Sequence, residues 1–123
     1  MDDAPDEMEA WLGADGLIRF RARDGSGPTD WNGDETSAAA RALRALAETA
    51  ADGPSRRVER NATGVFKVGD DGPYAGDIGG AVGVRAVTPD GGPFVLTASE
   101  AREFAAALET LADEDDKDDD VVK

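Results

Sequence analysis

Apolar and polar residues alternate most regularly over residues 17–23. Ile18, Phe20 and Ala22 fall on one side of an extended chain, and Arg19, Arg21 and Arg23 on the other. That period of two predicts a half-buried strand. A second alternation runs through residues 81–87, with Val82, Val84 and Ala86 opposite Arg85 and Val87. Between them, residues 57–68 read as one strand or two, clearest at Val65-Phe66-Lys67-Val68. Phe94-Val95-Leu96 follows the strong turn Thr88-Pro89-Asp90-Gly91-Gly92-Pro93, and the spacing predicts a hairpin with the strand before it. The stretch from Gly69 to Gly80 is rich in glycine and aspartate and reads as a loop.

Two segments have the helical period instead. Ala39, Leu43, Leu46 and Ala50 keep a three-four spacing and predict a helix from about Gly33 to Ala51. Asn32 with Glu35 three residues on is a capping-box spacing at its start, and Asp52-Gly53-Pro54 ends it. Thr97 with Glu100 is a second capping box. It opens a helix to about Asp113, whose buried stripe is Ala101, Phe104, Ala105, Leu108, Leu111 and Ala112. A short helical turn is expected over residues 6–12, because Met8, Trp11 and Leu12 share one side.

The two turn-then-helix segments superpose. Shifting Gly27 to Ala47 by 65 positions lays them on Gly92 to Ala112 without a gap, so that the capping boxes coincide and Leu43 and Leu46 meet Leu108 and Leu111. The preceding strands align with one residue of slip, Arg21-Ala22 on Arg85-Ala86. The expected fold is therefore α+β: one antiparallel sheet of four to five strands, two helices on one face, and a duplicated β-β-α unit. Residues 1–112 form the single domain. Residues 113–123, a block of like charge, are expected to be a disordered acidic tail.

Composition narrows the chemistry. With 27 acidic against 13 basic residues the chain carries a formal charge of −14. Direct binding to nucleic acid or to an anionic membrane is not expected, since both attract cations. Three explanations for the acidity compete: solubility with an acidic tail first, halophily next, and mimicry of nucleic acid behind both. Neither cysteine nor histidine is present, which removes thiolate and imidazole nucleophiles, the commonest general base and the usual zinc ligands. No apolar run reaches the ~20 residues of a membrane helix, and the N-terminus is acidic, so a cytoplasmic protein is expected.

Few residues stand out as candidates. Asp70, Asp71 and Asp77 lack the alternating oxygens and the terminal glutamate of a calcium loop. Gly76 to Gly83 has neither dinucleotide nor phosphate-loop spacing and leads into a strand. No cofactor and no metal site is expected. Arg19, Arg21 and Arg23 on one strand face, with Arg85 as their neighbour if the two repeat strands pair, form a candidate binding row. The competing reading is that they pair with the chain's own carboxylates. Arg56, Arg57 and Arg60 make a second cluster. Trp31 is either a binding contact or a core residue, since its repeat counterpart is Leu96; Trp11 is the other large aromatic. These features predict a non-catalytic protein-interaction domain, of the kind found in a small accessory or viral protein, binding a protein with a basic surface; a homodimer is compatible with it. The alternatives are a nucleic-acid mimic that inhibits a DNA- or RNA-binding protein and, further off, a metal-dependent enzyme working through carboxylates.

Overall fold

A computed structural model describes residues 8–22, 29–53, 56–69, 72–77, 81–86, 88, 90 and 92–122. The elements in order are β1 (Met8–Leu12), β2 (Ile18–Ala22), β3 (Thr29–Trp31), α1 (Gly33–Ala47), β4 (Val58–Arg60), β5 (Phe66–Val68), β6 (Tyr74–Asp77), β7 (Val82–Arg85), β8 (Phe94–Leu96) and α2 (Ala98–Val122). The fold is α+β, but the strands form two antiparallel sheets where the sequence suggests one. The smaller has the order β1-β2-β8 and the larger β3-β7-β6-β5-β4.

The predicted hairpin of β7 with β8 does not form. The turn between them closes, with Thr88 N–H donating to Gly92 O at 2.9 Å, yet the strands part there. β7 pairs with β3, and β8 pairs with β2. Each half of the chain thus supplies a strand to the other half's sheet. Burial explains the choice. Ile18 faces Leu96 and Trp31 faces Val82 across the ladders, and all four are buried. Direct cross-strand neighbours share a face, so these pairings close one continuous core.

Two local expectations are corrected. Residues 8–12 are strand β1, not a helical turn. The one-sided spacing of Met8, Trp11 and Leu12 is outweighed by a full ladder with β2, from Met8↔Ala22 to Leu12↔Ile18. A tight turn sets that register: Gly13 N–H donates to Leu17 O and Gly16, at φ 85°, supplies the left-handed residue. The glycine-rich stretch contains β6, which lies between β5 and β7. Small residues suit it, because Ala75 is wholly buried and a Cβ at Gly76 would meet Val65 Cγ2 at 3.0 Å.

Both helices start as the caps predict. Asn32 Oδ1 accepts from Glu35 N–H at 2.8 Å and Glu35 Oε1 accepts from Asn32 N–H at 2.9 Å. Thr97 Oγ1 accepts from Glu100 N–H at 3.2 Å, while Glu100 Oε1 accepts from Thr97 N–H at 2.9 Å. α1 ends at Ala47, four residues early, where Glu48 N–H donates to Ala45 O and Leu46 O accepts from the N–H groups of Thr49 and Ala50. The chain then ties itself down: Ala51 N–H donates to Gly16 O, and Ala51 O accepts from Ala98 N–H. The backbone of α2 continues to Val122, past Asp113 where the sequence suggests an end; extending an existing helix fixes one residue per hydrogen bond.

The helices pack on each other through small residues. α1 buries Thr36, Ala39, Ala40, Leu43 and Ala47, and α2 buries Ala101, Phe104, Ala105, Leu108 and Ala112 among others. Each of the first five lies 65 positions before its counterpart in the second five. Alanine at the interface lets the axes approach, and Leu43, Leu108 and the edge-to-face pair Phe20–Phe104 (centroids 5.7 Å apart) fill the space towards the sheets.

Candidate functional site

Among the described residues, the smaller sheet carries the most exposed large apolar side chains. Trp11, Leu12 and Val95 are 41, 39 and 38 % exposed. Trp11 stands opposite Arg19, and Arg19 opposite Val95, so the three form one row across β1, β2 and β8. Side chains in one row share a face. Leu12, Ile18 and Leu96 form the adjacent row on the inner face, where Ile18 and Leu96 are buried and Leu12 emerges at the edge.

Carboxylates hold the arginines of this face. Arg19 Nη1 and Nη2 donate to the two oxygens of Asp15, each at 3.1 Å. The Arg19 hydrogen bond, with a backbone N–H from Leu17, keeps the Asp15 carboxyl below its ordinary range. Arg21 Nη2 donates to Glu9 Oε1 at 2.8 Å, its cross-strand neighbour. The reading that pairs these arginines with the chain's own acids thus describes Arg19 and Arg21. Arg23 lies outside the described residues. Arg85 sits on the other sheet, facing Tyr74 in the β6–β7 ladder. β2 and β7 never pair, so the single row Arg19-Arg21-Arg85 is not assembled. Trp31 is wholly buried, and its indole N–H has no hydrogen-bond partner among the described residues. A ring in that position packs the core and offers no contact surface.

The edges of the smaller sheet differ. On the β8 side, Val95 O accepts from Arg56 Nη2 at 2.9 Å. Arg56 is fixed by Glu100, whose Oε2 accepts from Arg56 N–H at 2.7 Å and from Nε at 2.9 Å. Burial pushes the Glu100 carboxyl up, but the Arg56 side chain, the Arg56 N–H and the Thr97 N–H together outweigh it and hold it below the ordinary range. On the β1 side no described strand pairs with the outer edge.

The second arginine cluster lines an open cleft of ≈ 550 Å³ with Glu59, Asn61, Lys67 and Gly69. Its three arginines have partners within the protein. Arg56 is bound as above, Arg57 Nε lies 3.7 Å from Glu59, and the Arg60 guanidinium stands 5.1 Å over the Phe66 ring. Among the described residues no three carboxylates gather closely enough to hold a metal ion. No described helix is long and apolar enough to cross a membrane.

The Arg56–Glu100 link was not visible in the sequence: its partners lie 44 positions apart, and only the predicted cap at Glu100 marked that residue at all. The Trp11–Arg19–Val95 row depends on β8 joining β2, which no local pattern announces. No protein-family model, curated protein or solved structure matches this chain.

Proposed function

We propose that the chain is a non-catalytic interaction domain that binds another protein through the smaller sheet. The observation that carries this is the placing of Trp11 and Val95 on one face of the smaller sheet, with Leu12 emerging at its edge, in a chain of charge −14. Single exposed apolar residues need no explanation, but large ones placed together and rimmed by ion pairs are the anatomy of a contact surface. The surrounding carboxylates favour a basic partner and speed the encounter. Chemical cross-linking in the source cells, followed by purification at moderate salt, tests this. The wild type should retain a defined partner that Trp11→Ser with Val95→Ser loses at unchanged melting temperature. Equal recovery by both would remove the sheet as the contact surface.

We further propose that the domain arose from a duplicated β-β-α unit with one more strand ahead of each copy: β1-β2-β3-α1 and β6-β7-β8-α2, separated by the β4–β5 hairpin. The registers support it. Trp31↔Val82 in one ladder answers Leu96↔Ile18 in the other, and Ala10↔Phe20 answers Ala75↔Val84. Arg44 and Glu109, 65 positions apart, meet each other at 2.7 Å, as equivalent positions do beside a local twofold axis.

A further inference from the structure

The two halves correspond strand for strand except at one place. Counting back 65 positions, Tyr74, Ala75 and Gly76 of β6 answer Glu9, Ala10 and Trp11 of β1. β6 is covered on its outer side by β5, with Phe66 opposite Ala75 and Lys67 opposite Tyr74. β1 has no such strand among the described residues. We infer that the outer edge of β1 takes an extended segment of a basic partner protein, laid antiparallel as β5 is laid on β6. This inference rests on the reading of the domain as a protein-binding module.

The hydrogen-bonding phase of the edge can be worked out. Gly13 N–H bonds Leu17 O, so that opposed pair is hydrogen-bonded, and bonded pairs alternate along an antiparallel ladder. Trp11 and Glu9 therefore bond to β2, while Ala10 and Leu12 direct their N–H and C=O groups away from it. The same counting applies to β5 and β6. Val68 N–H bonds Pro73 O, so the Phe66↔Ala75 pair is hydrogen-bonded. Ala75 thus spends on β5 the groups that Ala10, its counterpart, holds out at the open edge. Main-chain groups in that state are a template for strand addition.

Side chains and charge choose the occupant. Opposite Ala10 an aromatic residue would sit as Phe66 sits on Ala75, with Leu12 exposed at the edge of the same face. Opposite Glu9 a lysine or arginine would take the place of Lys67; the Glu9 side chain is 50 % exposed and accepts from Arg21 at only one oxygen. The sequence before β1 adds Asp2, Asp3, Asp6 and Glu7. A second copy of the chain would bring −14 against −14, which disfavours it relative to a cationic strand.

The test uses a labelled peptide with the sequence of residues 63–69, Thr-Gly-Val-Phe-Lys-Val-Gly, titrated with the whole protein at low salt. Three relatives of the peptide are compared: N-methyl on the phenylalanine amide, N-methyl on the lysine amide, and lysine replaced by glutamate. Strand addition predicts saturable binding. Methylation at phenylalanine should weaken it about tenfold or more, the equivalent of one hydrogen bond, while methylation at lysine leaves it within about twofold. The glutamate peptide should bind more weakly than the parent. Ala10→Pro and Leu12→Pro, each removing an outward N–H, should weaken the parent peptide comparably; far-UV circular dichroism identifies a variant that has unfolded, and the methylated peptides decide the matter on the wild type. Absence of binding at about 1 mM, the weak end of specific recognition, overturns the inference, as does an equal effect of the two methyl groups. Either failure leaves the protein-binding reading to the Trp11 and Val95 cross-linking test, which does not involve the edge.

Discussion

Glu100→Ala should be among the most damaging substitutions of a polar residue in this protein, and Glu35→Ala, at the corresponding place in the other helix, among the mild ones. Both glutamates close a capping box with nearly the same geometry. They differ in surroundings. Glu35 is half-buried and bonds only its own helix start, so its loss costs about 1 kcal/mol or less. The Glu100 side chain is 3 % exposed and also accepts from the Arg56 N–H, Nε and Nη2. Breaking a buried pair by deleting one member costs about 3–5 kcal/mol. Arg56, at 41 % exposure, can rehydrate, which places the cost near the lower end, about 3 kcal/mol. Two backbone N–H groups also lose an acceptor. Against a total stability of ~5–15 kcal/mol this is large, and it corresponds to a melting point lower by on the order of 10 °C. Urea unfolding of both variants at neutral pH measures the difference directly. Equal losses for Glu35→Ala and Glu100→Ala would refute the claim that Arg56 and burial, not the cap, set the value of Glu100.

Four further outcomes follow from the same geometry. Glu100 and Glu109 are both held below their ordinary range, Glu109 by its hydrogen bond from Arg44. A carboxyl depressed in the folded state stabilises above its unfolded value of about 4.3 and loses that contribution as pH falls through the folded value. Stability should therefore hold from pH 7 to about 5 and drop below about 4, with a shallower drop in Glu100→Gln; an identical acid limb in that variant would exclude Glu100 as a contributor. The Arg44–Glu109 bridge joins side chains 43 and 45 % exposed, so a double-mutant cycle should give a coupling of about 0.5 kcal/mol and no more than about 1. Trp31→Phe should cost little beyond the lost contacts, because it also removes a buried N–H with no partner among the described residues, whereas Trp31→Ala should cost about 3–5 kcal/mol in urea unfolding. Gly72→Ala should be strongly destabilising by thermal melting, since its Cβ would run into the backbone oxygen of Val68, which cannot yield without breaking the β5–β6 turn.

What the sequence made legible was local. Strand β2, both helix starts and the buried stripe of α2 follow from periodicity and capping, which act within a few residues. The misread elements are those in which tertiary pairing overrode a local signal. Met8, Trp11 and Leu12 carry a helical spacing, yet the glycine turn at Gly13–Gly16 folds β1 back on β2. Tyr74-Ala75-Gly76-Asp77 looks like loop, but small residues are what a strand wedged between β5 and β7 requires. β3 has three residues and no period to detect. Aligning residues 27–47 with 92–112 could not reveal the exchange of strands between sheets, because pairing β8 with β2 or with β7 satisfies the same alternation. The candidate surface shared this fate. Arg19 and Arg21 were visible as a row, while their partners Asp15 and Glu9 depended on the β1–β2 hairpin, and the burial of Trp31 and the alignment of Trp11 with Val95 on the exchange.

Amide hydrogen exchange along β1 tests the central claim most directly. If β1 is an open edge, the N–H groups of Ala10 and Leu12 exchange at rates near those of an open chain in the free protein, while Glu9 and Trp11 are protected by β2. Adding the peptide of residues 63–69 should then protect Ala10 and Leu12 and leave Glu9 and Trp11 as they were. Slow exchange of Ala10 and Leu12 in the free monomer, or no change on adding the peptide at saturating concentration, would contradict the account.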